Sequence, residues 1–156
     1  MSEQKLFSLE DLKRFSAVEG KVLKDVVYYV WINRLTTSSP MVFIDKLQFI
    51  FDDDTLITLT AGEESDALYF LDDFDFNSEA EVLEQEFKGE IVLKAHHAIN
   101  DRFWTGLSDK KITSVRLTKR NNEYLADAVV FDIEGELRLV AVSPEEGVLI
   151  DFYEDI

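Results

Sequence analysis

The chain has 156 residues, 46% of them apolar, with twelve Phe, no Cys and a formal net charge of −16. That size and apolar content allow a buried core without disulfides or a thiolate-bound metal, and no run of about 18 apolar residues reads as a transmembrane helix. The acidity argues against binding a phosphate backbone, which needs Lys and Arg to displace counterions, and suits either a cationic partner or plain solubility. The first residues lack a basic stretch followed by an apolar one, so no signal peptide is read there, and the expectation is a cytoplasmic protein.

The charge is unevenly distributed. Residues 1–44 carry a net +1, residues 45–90 a net −13, residues 91–122 a net +5 and residues 123–156 a net −9. Each half of the chain therefore opens with its cations and closes with its anions.

In chain order, Ser8 followed by Glu10 and Asp11 predicts a helix start, with Leu9, Leu12, Phe15 and Val18 at helical spacing and Gly20 as the stop. Residues 22–31 are β-branched and aromatic and predict a strand; residues 36–40 predict a loop, with a strand resuming near Met41. Residues 47–51 predict a strand, Asp52, Asp53 and Asp54 a hairpin turn, residues 56–60 a second strand, and residues 67–74 a third. Ser78 and Glu81 form a capping-box pattern for a helix running through Phe87 to Gly89. Ile91, Leu93 and Ala95 alternate with Val92, Lys94 and His96 as in a strand.

The C-terminal third repeats the earlier order. Residues 128–131, a turn at 132–136, residues 137–142, an acidic loop at 143–147 and residues 148–155 read as strand, turn, strand, loop, strand. Residues 11–23 also align without gaps on residues 100–112, matching Phe15 with Trp104, Val18 with Leu107, Lys21 with Lys110 and Leu23 with Ile112. This predicts an α+β fold of two tandem related units, about 8–75 and 97–155, each a short helix followed by an antiparallel β-meander. A helix and a strand join them in a single compact domain over residues 1–156. Phe15, Trp104, Val26, Val115, Leu56 and Leu137 are expected to face the core, and Arg102 to stay exposed.

Motifs for chemistry are few. Asp73, Asp75, Asn77, Glu81 and Glu84 fall at positions one, three, five, nine and twelve of a calcium-loop spacing. Ser78 stands where that loop needs Gly, Ala80 replaces a branched apolar residue, and the entering segment reads as a strand, so a capped helix is expected and no metal. His96 and His97 are adjacent on a predicted strand and point to opposite faces, which prevents joint chelation. The six Gly form no phosphate cradle, and no cofactor is expected. Lys110, Lys111, Arg116, Lys119 and Arg120 form a basic island, expected to pair with the acidic half of its own chain.

The expected function is that of a small acidic binding protein rather than an enzyme. Its loops carrying Asp52, Asp53, Asp54, Glu63, Glu64, Asp66, Asp72, Asp73 and Asp75 would face a basic protein partner, with no nucleic acid and no membrane. An immunity-type inhibitor is the concrete form, by analogy of class alone. The competitors are a nucleic-acid mimic, whose carboxylates would follow a phosphate track, and a small-ligand binder or enzyme with its site between the two units, near His96 or His97. The oligomeric state is left open.

Overall fold

The structure is a computed structural model and describes residues 5–34, 41–61, 66–144 and 147–154. Its elements are α1 (Leu9–Val18), β1 (Leu23–Asn33), β2 (Met41–Phe51), β3 (Leu56–Thr60), β4 (Tyr69–Phe70), α2 (Phe76–Phe87), β5 (Ile91–His97), β6 (Ile112–Arg120), β7 (Glu123–Ile133), β8 (Glu136–Ser143) and β9 (Gly147–Phe152). The fold is α+β, two helices on one curled antiparallel sheet. The loop predicted at residues 36–40 lies outside the described residues. Among those described, no helix is long and apolar enough to cross a membrane.

Ser8 caps α1 as its sequence predicts: its hydroxyl accepts from the Asp11 N–H, and the Asp11 carboxylate accepts from the Ser8 N–H. Phe15 and Val18 turn inward from the helix, while Leu9 stays exposed. In β1, Val26 and Tyr28 face the main core, and Val27 and Tyr29 face a second, smaller cluster beneath α2. This is the period-two alternation of a strand buried on both faces.

The sheet runs in the order β4-β3-β2-β9-β8-β7-β6, with β1 pairing both β2 and β5. One edge of β2 carries β1; the other is shared by β3 and, at Ile44 opposite Val148, by β9. Gly147 makes that junction possible. A Cβ there would lie 2.6 Å from the Ile44 carbonyl oxygen, and its φ of +73° is costly for other residues. The sheet then curls until β6 meets the start of β1. Gly20 N–H bonds the Ile112 carbonyl at 2.7 Å and Ile112 N–H bonds the Lys21 carbonyl at 2.9 Å. Leu23 N–H bonds the Lys110 carbonyl and Asp109 N–H the Leu23 carbonyl, both at 2.8 Å.

Registers in the two hairpins run in parallel. Leu23 faces Phe51, then an irregularity precedes Asp25 opposite Ile50, and Val26 faces Phe49. Ile112 faces Ile133, then an irregularity precedes Ser114 opposite Asp132, and Val115 faces Phe131. Phe49 and Phe131 meet edge to face, centroids 4.9 Å apart at 87°. Trp104 packs on Phe49 at 5.3 Å, and Phe15 approaches Phe131 at 6.5 Å.

Several expectations need correction. The strands predicted near Met41 and at residues 47–51 are one strand, β2. The strand predicted over residues 67–74 contracts to the two residues of β4. The helix predicted near Asn100 is a set of successive turns: Trp104 and Thr105 both bond the Asp101 carbonyl, and Leu107 bonds that of Trp104. The reason is tethering. Ala98 N–H bonds Val26 and Asp109 N–H bonds Leu23, so both ends of the segment are fastened to β1. A ten-residue helix would need about 15 Å between its ends. Leu56 is 49% exposed and Leu137 only half-buried, against the inward placement expected. They sit directly opposite Ile50 and Asp132, which face outward, and directly paired residues share a face. Ile57 and Arg138 take the inward positions instead. Arg138, 6% exposed, donates from Nε to the Phe103 carbonyl and from its guanidinium to the Leu137 carbonyl at 2.9 Å, under the Phe152 ring.

Trp104 is fully buried, and its indole N–H donates to the Tyr28 hydroxyl. Burial, with a smaller contribution from the Asp101 charge, pushes the Tyr28 phenol up to about 12. Two predictions follow from this core. Trp104→Ala should cost about 3–5 kcal/mol in chemical denaturation, whereas Arg102→Ala, at an exposed turn position, should cost under about 0.5 kcal/mol. A folded-state value for Tyr28 above its unfolded value of about 10 contributes stability that is complete below pH ~10 and lost as pH rises through 12. Unfolding free energy should therefore fall across that window. Tyr28→Phe should reduce the fall, while costing about 1–3 kcal/mol at neutral pH by leaving the Trp104 N–H unpaired.

Candidate functional site

The outer face of β1, β2 and β5 is apolar enough to need a cover, and α2 supplies it. Leu83 is buried against Val27, Tyr29, Ile91 and Leu93, with Phe76 and Phe87 packed at the margin. The helix opens on Asp75 rather than on the Ser78 of the predicted capping box. The Asp75 carboxylate accepts from the Ser78 N–H at 3.3 Å and from the Ser78 hydroxyl at 3.0 Å. These bonds hold the Asp75 carboxyl below its ordinary range. At the far end Lys88 is left-handed, with φ of 49°. Asn77, Glu81 and Glu84 consequently lie on the helix itself, which makes the calcium-like spacing a helix start.

Toward β2 and β3 the cover is incomplete, and a groove of about 870 Å³ remains between the sheet and the first turns of α2. Trp31 and Phe43 form one wall as a near-parallel pair, centroids 6.0 Å apart at 24°. Leu71, Phe74 and Val82 form the other. Lys46 lies at the floor, 5% exposed, with its ammonium on Asp45, 3.2 Å from Glu79 and 5.0 Å from the Phe74 ring centroid. Two carboxylates and an aromatic face compensate the buried cation. Beside it, Tyr29 donates to Gln48 and Gln48 to Thr58, each at 3.1 Å, so the polar floor is satisfied. Asp73 and Asp75 also line the groove.

Of the acidic residues singled out from sequence, Asp73 and Asp75 line this groove, and several are partly neutralised. Asp53 accepts from the Thr55 hydroxyl and from the Thr55 N–H at 3.0 Å, and pairs with Lys21 at 3.1 Å. Those contacts, Thr55 foremost, lower its carboxyl to about 2. Asp72 takes both guanidinium nitrogens of Arg14, which also lies over the Phe70 ring at 4.4 Å. Asp75 is the helix cap. Among the described residues, Asp52, Asp54, Asp66 and Asp73 enter no ion pair. Glu63 and Glu64 lie outside the described residues.

Among the described residues, the cations from outside residues 45–90 that pair with that block are Arg14 and Lys21, from the start of the chain. From the basic island, Arg116 pairs with Asp132 at 3.4 Å and Lys119 lies over Tyr124. His96 pairs with Asp101 at 2.6 Å and His97 with Asp25 at 2.7 Å; neither lines the groove. The groove lies outside the first hairpin, whereas the competing small-ligand reading places its site between the two units. A smaller cavity of about 230 Å³ separates α1 from β6 and is lined by Leu12, Val115, Leu117 and Tyr124.

The sequence left the groove unread. Trp31 is an aromatic that could anchor an interface, with core use the default for such residues, and Lys46 is one of two cations in residues 45–90. Lys46, beside Asp45 on a strand whose other residues are apolar except Gln48, is the available signal. Comparison with known protein families, with curated proteins and with solved structures finds no match.

Because Asp75 is the sole side-chain cap of α2, Asp75→Ala should lower stability by about 0.5–2 kcal/mol, read as a lower thermal midpoint. Asp75→Ser, which keeps an acceptor, should recover most of it.

Proposed function

We propose that the chain is an acidic cytoplasmic protein that acts by binding a basic protein partner, not by catalysis, with an immunity-type inhibitor as its concrete form. The observation that carries this reading is the charge imbalance of residues 45–90, a net −13, in a region where Arg14 and Lys21 neutralise only Asp72 and Asp53. Asp52, Asp54, Asp66 and Asp73 are left to act on a partner from the surface. Such an arrangement raises encounter rates more than it raises affinity.

The same reading takes residues 1–156 as one domain of two related units, about 8–75 and 97–155. Supporting it are the matching registers of the two first hairpins and the burial of Phe15 with Trp104 and of Val18 with Leu107. The four backbone bonds between residues 20–23 and 109–112 support it too, since each has its counterpart 89 positions away. In this view α2 and β5 are additions to the first unit, and the groove that α2 forms with its sheet distinguishes the two.

The test is kinetic. A partner captured on the immobilised chain should associate about tenfold or more slowly at high than at low ionic strength. The combined variant Asp52→Asn, Asp54→Asn and Asp66→Asn should slow association at low salt and leave dissociation nearly unchanged. An association rate flat across ionic strength contradicts the reading, and competition by duplex DNA for the same partner would move it to a nucleic-acid mimic.

A further inference from the structure

We infer that the groove between α2 and the outer face of β2 and β3 seats an apolar side chain of the basic partner, with a lysine or arginine beside it. This deepens the proposed function and rests on it. The acidic loops would draw the partner in; the groove would anchor it.

The walls argue for an apolar occupant. Trp31, Phe43, Leu71, Phe74 and Val82 present aromatic and aliphatic surface to an open volume of about 870 Å³, within the range of built ligand sites. Val82 is 51% exposed although it lines the groove, so apolar area on α2 remains in water. Polylysine-like chains would leave those walls wet.

The charges argue that a cation must accompany it. Four carboxylates line the groove, Asp45, Asp73, Asp75 and Glu79, against one cation, Lys46. Lys46 is already held by Asp45 and Glu79. An apolar ligand without charge would strip water from the exposed Asp73 carboxylate, which enters no ion pair among the described residues, and burying a charge unpaired is costly. An anionic ligand would meet like charge. A segment with an apolar side chain next to Lys or Arg satisfies both constraints, as an amphipathic helix in a groove does.

The experiment is a ¹⁵N and methyl NMR titration of the full chain with three helical peptides of equal length, one of lysine and leucine, one of lysine and serine, one of glutamate and leucine. The Trp31 indole N–H reports on the groove, and the Trp104 indole, buried and bonded to Tyr28, is the internal control. The lysine–leucine peptide should shift Trp31 and the Val82 methyls and leave Trp104 still, binding about tenfold or more tightly than the lysine–serine peptide, a difference of about 1.4 kcal/mol. Val82→Lys and Asp73→Lys, both at exposed positions, should each weaken it by a similar factor. If the two cationic peptides bind alike, with shifts confined to residues 52–54 and 66, the groove inference falls and the acidic-surface reading stands. If neither cationic peptide shifts any resonance, that reading falls as well. Equal binding by the glutamate–leucine peptide overturns the role of charge. Saturation of the Trp31 shift by phenethylamine at lower concentration than the peptide makes this a small-molecule site and overturns the protein occupant.

Discussion

Four aromatic rings hold this molecule together. Phe49 of β2 and Phe131 of β7 meet edge to face, Trp104 packs on the first and Phe15 approaches the second. Edge-to-face pairs are directional, and large rings dominate core energetics. The contact therefore fixes how one meander sits on the other as well as how tightly. The curl of the sheet follows from it. The segments leading into β1 and β6, residues 20–23 and 109–112, close on each other through four backbone hydrogen bonds. The indole of Trp104 then needs a partner inside, and Tyr28 of β1 provides it.

A filled interior leaves the outer faces to carry everything else. On the first hairpin the outward residues Val27, Tyr29 and Trp31 are apolar, and α2 covers most of them together with Ile91 and Leu93 of the neighbouring β5. The cover ends short of β3, and the carboxylates at that margin meet a single buried lysine. Charge and exposed apolar surface thus coincide at one place on the chain. Neither alone would mark a site: acidic surfaces are ordinary in soluble proteins, and isolated exposed apolar residues are too. Their coincidence beside an open volume motivates the binding proposal.

Much of the local structure was legible because it depends on neighbouring residues. Ser8 with Asp11 marked α1, the alternation from Val22 onward marked β1, and Asp52, Asp53 and Asp54 marked a hairpin turn. What was missed depends on partners far along the chain. Residues 100–107 carry a helical pattern but are tied at both ends to β1, and the tether wins over propensity. The repeat places Leu56 and Leu137 inward just after their hairpin turns, whereas the register of those hairpins sets the opposite parity. Arg138 is the clearest case. It is a charged residue that lies inward, where its guanidinium meets the Phe103 carbonyl and the Phe152 ring. The groove was invisible for the same reason: its walls come from β1, β2, the segment after β4 and α2, which only the folded sheet brings together.

The most direct test of this account is a double-mutant cycle between Phe49 and Phe131, each replaced by Leu singly and together, with unfolding free energies from chemical denaturation. If the two meanders share a core through that ring contact, the coupling energy should be about 0.5–1.5 kcal/mol. Additive single effects, with coupling indistinguishable from zero, would contradict it.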